Sequence, residues 1–102
     1  MTVQDYVNDV LCVPVSKKGN ILIVEAMEIV LDQHTHKFYP TLTEVTGKTT
    51  RELEDPIRSA KMAGWKAMDQ KLKKEAFFTE GKAPTNTKYI VHAVGHYRRY
   101  YQ

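Results

Sequence analysis

Residues Phe38 to Trp65, FYPTLTEVTGKTTRELEDPIRSAKMAGW, constrain the fold of this chain more than any other stretch. They read as a short helix, a tight turn and a longer helix. The short helix has apolar positions at Leu42 and Val45, and Gly47 breaks it. Thr49 then stands three residues before Glu52, the spacing of a capping box, in which each side chain accepts from the other residue's backbone amide. Leu53, Ile57, Ala60 and Gly64 follow at helical steps. A short helix, a glycine turn and a longer helix form the layout of a helix-turn-helix. The second helix of such a pair can enter the DNA major groove. The same layout also serves as a plain packing unit.

The rest of the chain extends the helical pattern. Val3, Tyr6, Val7, Val10 and Leu11 form one helical stripe. Pro14 and the run Ser16-Lys17-Lys18-Gly19 end it in a loop. Ile21 to Leu31 is apolar nearly all round. ILIV would suit a strand, but the continuation AMEIVL favours a buried central helix. Asp32 to Lys37 reads as a loop, and Tyr39-Pro40 opens the next helix, since proline is tolerated in a first turn. Pro56 is awkward. It sits seven residues after the cap and lacks the amide that would bond the Glu52 carbonyl. The longer helix is therefore expected to be distorted near Glu52–Asp55 or to restart at Asp55. Residues 70–79 predict a short helix with Leu72, Ala76 and Phe77 on one side. Pro84-Thr85-Asn86 opens a last helix with Tyr89, Ile90, Ala93, Val94 and Tyr97 as its stripe. The expected fold is all-α, about six helices in one compact domain over residues 1–102.

Composition agrees with a globular domain. At 102 residues, 42% hydrophobic and 26% charged, the chain suits one modest core. No apolar run is long enough to span a membrane, and no signal peptide is evident. Cys12 is the single cysteine, so no internal disulfide or cysteine-rich zinc site can form. A reducing cytoplasm is the expected compartment. The formal charge is only +3, but the cations are unevenly placed. Residues 1–15 hold no Lys or Arg, while Lys48, Arg51, Arg58 and Lys61 cluster around the helix pair and Lys82 follows. As a set they suggest a phosphate-facing surface; singly, each reads as a solvated lysine or arginine.

Several landmarks, in order, resemble a known family. They are Val13-Pro14 with Lys18-Gly19; Phe38-Tyr39-Pro40; Thr49-Thr50, Glu54, Ile57-Arg58, Ala60 and Trp65; and Lys82-Ala83-Pro84-Thr85-Asn86 with Tyr89-Ile90. From about Val3 to Tyr101 the chain resembles the C-terminal DNA-binding domain of the stage-zero sporulation master response regulator of endospore-forming bacteria. The resemblance implies six helices, sequence-specific binding of double-stranded DNA, and copies bound side by side in tandem or as a homodimer. It places Glu54 and Arg58 at groove-facing positions. Asp55 stands where the family has Arg, Ser59 where it has His, and Pro56 is foreign to the pattern. The family's DNA target is therefore not carried over. No phosphoacceptor receiver domain is expected in these residues, so family-type phosphorylation control has no place in them.

Other chemistry is weaker. His92 and His96, four apart on the last predicted helix, have metal-chelating spacing, and His34 and His36 could add ligands. No H-E-x-x-H arrangement accompanies them. Glycine-rich phosphate loops and nucleophile motifs are lacking. The expectation is no enzyme, no cofactor, no metal site, no small-molecule substrate and no membrane partner. Trp65 shares the apolar side of its helix and reads as core. The aromatic, basic end His96–Tyr101 suits either helix packing or a partner contact.

Arg58 is the expected base reader, with Glu54 one turn before it on the same face. Lys48, Arg51 and Lys61 are expected on phosphates, and Thr50, Asp55, Ser59 and Lys82 complete the candidate surface. The competing reading is a protein-interaction module or inhibitor that keeps the fold but has lost DNA binding; Asp55 and Pro56 are its support.

Overall fold

Four of the six helices open on a side chain that accepts a backbone amide three residues later. Thr2, Thr49, Asp69 and Thr85 bond the amides of Asp5, Glu52, Leu72 and Lys88. Such caps satisfy amides that have no partner within the helix. The computed structural model describes residues 1–102. Helix α1 (Val3–Asp5) runs directly into a π-helical turn (Tyr6–Val10). It is followed by α2 (Gly19–Gln33), α3 (Tyr39–Thr46), α4 (Thr50–Ala67), α5 (Gln70–Phe77) and α6 (Asn86–Tyr100). The fold is all-α. No strand forms at Ile21–Val24, which lies in α2.

The N-terminal stripe departs from the α-helical expectation. The Leu11 amide bonds the Tyr6 carbonyl five residues back at 3.0 Å, and Val13 reaches Val7 at 3.1 Å. The wider turn narrows the arc between Tyr6, Val7 and Leu11, so all three are fully buried while Val3 and Val10 are only partly covered. Tyr6 anchors the turn. Its hydroxyl lies 2.8 Å from His96 Nδ1, and its ring meets Tyr97 edge-on at 5.3 Å.

Central α2 packs against α1, α3, α4 and α6. It ends at Gln33, two residues into the expected loop, with His34 in the left-handed region. Two glycines allow close crossings. A Cβ on Gly19 would stand 2.0 Å from the Pro56 carbonyl oxygen, and one on Gly64 would stand 2.6 Å from that of Leu11. Helix α4 thus lies tight against both α2 and the segment after the π-turn.

The capping box at Thr49 is complete, with Thr49 N donating to Glu52 Oε1 at 3.0 Å and Glu52 N to Thr49 Oγ1 at 3.2 Å. Helix α4 then continues through Pro56 to Ala67. It does not restart at Asp55. Burial of Leu53, Ile57 and Ala60 on either side of the proline holds the helix together despite the lost amide. Val45, expected as an apolar contact of α3, is 66% exposed, whereas Leu42 is buried. Trp65 belongs to the core, as its spacing suggested. It meets Phe77 edge-on at 5.4 Å, and its Nε1 donates to the Gly81 carbonyl at 3.0 Å. The α6 stripe Tyr89, Ile90, Ala93, Val94 and Tyr97 is buried, and His96 joins it. No helix is long and apolar enough to cross a membrane.

Candidate nucleic-acid interface

The outer face of α4 carries most of the residues singled out in the sequence. Arg51, Glu54, Asp55 and Arg58 are exposed, and helical spacing puts them on one ridge. From Arg51 to Arg58 the ridge spans about 10 Å, roughly three base-pair steps. Met62 extends it one turn further and is 38% exposed. Three residues, Gly47 to Thr49, join the ridge to α3. Gly47 takes φ 72°, a left-handed conformation that costs glycine little. Lys48 is exposed in this turn, its amide bonded to Thr46 Oγ1 at 3.2 Å, and Thr50 is exposed at the head of α4.

A groove flanks the ridge on each side. One, of about 430 Å³, is lined by Ser16, Lys17 and Lys18 of the loop before α2 and by Asp55, Pro56 and Ser59 of α4. Lys17 Nζ donates to Ser59 Oγ at 3.4 Å across it. The other, of about 370 Å³, is lined by Tyr39, Glu54, Arg58, Lys61, the α6 cap Thr85 and the first residues of α6, Asn86 and Thr87. Asn86 ties its walls together. Asn86 Nδ2 donates to the Glu54 carbonyl at 3.1 Å and to the Tyr39 hydroxyl at 3.3 Å. Burial raises the Tyr39 phenol above its ordinary pKa, so it stays neutral near pH 7.

Arg58, the expected base reader, pairs with Asp55 one turn back. One expectation about side chains changes. Lys61 is not on the ridge. It is 4% exposed, and its Nζ donates to the Pro84 carbonyl at 2.7 Å. Desolvation, with Arg58 nearby, lowers its pKa. Lysine at this position joins α4 to the loop before α6, so its charge is already engaged. Lys82 is exposed but lies in another groove, with Phe78, Lys88 and His92; Thr85 forms a wall of both.

Lys17, Tyr39 and Asn86 were not among the site residues read from the sequence. The Ser16-Lys17-Lys18 run was a visible signal, but nothing local places it beside Ser59, 42 residues away. The metal spacing of His92 and His96 leads to no cluster. The His96 Nδ1 faces the Tyr6 hydroxyl, and the His92 ring packs on Phe78 at 5.4 Å. No protein-family model, curated protein or solved structure matches this chain.

Proposed function

We propose that this protein is a sequence-specific regulator that binds double-stranded DNA. In this reading α3 and α4 form a helix-turn-helix, with the α4 ridge laid in the major groove. The observation that carries it is an exposed helical ridge standing between two grooves with hydrogen-bond donors on their outer walls. Lys17 and Lys18 stand on one side and Thr85, Asn86 and Thr87 on the other. A helix projecting this way can reach base edges while its flanks approach the two phosphate backbones. The resemblance to the sporulation regulator's effector domain supports the same orientation.

Arg58 takes the two acceptors of a guanine, and Glu54 accepts from a cytosine amino group. Lys48, Arg51, Lys17 and Lys18 hold phosphates, and copies bind in tandem on adjacent sites in the cytoplasm. The test is selection of duplexes from a random pool at low salt, followed by salt titration. Binding should fall by a log–log slope of about 0.9 for each phosphate neutralised, and a preferred sequence should survive. Arg58→Ala should lower preference for the selected site about 5- to 150-fold, in line with 1–3 kcal/mol for one bidentate contact. Unchanged affinity and preference would remove Arg58 as the reading head.

One observation favours the interaction-module reading. Between Thr50 and Ser59, α4 carries Arg51 and Arg58 against Glu52, Glu54 and Asp55, an excess of carboxylate unfavourable near phosphate. A protein that retains no duplex at low salt belongs to that second class.

A further inference from the structure

The ridge of α4 presents one of its two arginines already paired. Asp55 Oδ1 accepts from Nη2 of Arg58 three residues on, and the two side chains are 76% and 60% exposed. In water such a pair adds about 0–1 kcal/mol, so fold stability gives little reason for it. Its charge has a larger consequence on DNA. A carboxylate on a ridge laid in the major groove meets the negative field of every duplex, whatever the sequence.

The geometry also leaves useful hydrogen bonds free. A guanidinium has five N–H donors. With one nitrogen engaged by Asp55, the rest of the fork can still reach O6 and N7 of a guanine. The carboxylate narrows the directions in which the fork points and keeps it from swinging to a phosphate. Asp55 Oδ2 remains able to accept from a cytosine amino group. Glu54, exposed on the same ridge, can accept from a second such group. Its side chain borders the groove beside Tyr39 and Asn86, and its backbone is fixed by Asn86. Lys17 is also engaged nearby, at Ser59 rather than at Asp55.

Resting on the major-groove reading above, we infer that Asp55 is a specificity-determining residue. It positions Arg58 for guanine and lowers affinity for DNA that lacks the matching site. Sequence preference here comes partly from a repulsive element, as specificity often requires.

The test compares the native chain with Asp55→Asn, Asp55→Glu and Arg58→Ala on the selected duplex and a scrambled duplex over a salt series. Helix content by circular dichroism verifies that each variant is folded. Asp55→Asn should bind the scrambled duplex about tenfold more tightly and lose about tenfold in the selected-to-scrambled ratio, the scale of one base contact. Asp55→Glu, which keeps the charge and reaches further, should retain most of that ratio. A residue needed only for helix stability would leave the ratio unchanged in every folded variant. A ratio in Asp55→Asn within twofold of native overturns the role of Asp55 and leaves the DNA reading intact. Failure of the native chain to retain any duplex overturns both.

Discussion

At the residue scale, two buried polar side chains, His96 and Lys61, are each held by one specific partner. His96 is 3% exposed and faces the Tyr6 hydroxyl at 2.8 Å. With its proton on Nε2, the ring accepts the phenol's hydrogen at Nδ1. Burial pushes its pKa below the ordinary 6.5, partly opposed by Glu75, while Arg99 pushes it further down. The unfolded chain, with a His pKa near 6.5, therefore binds more protons in mildly acidic solution. Stability should be full above about pH 7 and fall as pH drops through 6.5, until the folded-state ring also protonates. Urea unfolding at pH 7.5, 6.5 and 5.5 measures this. His96→Gln should reduce that pH dependence, and an unchanged slope would remove His96 as its source. Lys61 makes a second case. Lys61→Ala should cost about 1–3 kcal/mol of stability, because packing and the bond to the Pro84 carbonyl are both lost. If it leaves stability intact and only weakens DNA binding, the engaged lysine is a phosphate contact after all. A clue was present in the sequence: residue 61 lies four after Ile57 and three before Gly64, on the buried side of α4. What its amine would meet depended on Pro84, 23 residues away.

At the scale of elements, α4 shows how a local rule yields to tertiary packing. Proline removes the amide that would bond the Glu52 carbonyl and crowds the preceding turn, which predicted a distortion or restart. The capping box fixes the start of the helix, and Leu53, Ile57 and Ala60 fix its apolar side against the core. The helix stays continuous. Pro56→Ala should therefore raise stability by about 1–2 kcal/mol: a restored hydrogen bond and better helix propensity outweigh the added freedom of the unfolded chain. Chemical denaturation is the check, and a loss of stability would show that the native backbone depends on the proline. The π-turn is the opposite case. An α-helical stripe was legible in the sequence, but the position of Leu11 relative to Tyr6 is set by His96 and the C-terminal tyrosines. That information is distributed over elements some 90 residues apart.

Over the whole molecule, the candidate interface depends on how closely α2 and α4 approach. Gly19 touches the Pro56 carbonyl and Ala60 with no room for a Cβ. The Lys17-Lys18 loop immediately precedes this crossing, which brings it beside Ser59. Gly19→Ala should destabilise the protein by about 1–3 kcal/mol or more, because the nearest atom is backbone and cannot rotate away. It should also displace the loop from the ridge, detectable as a shift of amide signals at residues 16–18 and 55–59. A variant with native stability would mean the crossing is looser than described. The sequence by itself determined the six helices, most of their ends and the exposed face of α4. Caps, breakers and helical periodicity act within a few residues, so a linear reading captures them. Only the tertiary structure decided which cations remain free on that face. It engaged Lys61 with Pro84, set Lys17 beside Ser59 with its charge still exposed, and built grooves from α2, α3, α4 and α6. Charge can be counted along a chain, but its availability depends on what folding brings within hydrogen-bond reach.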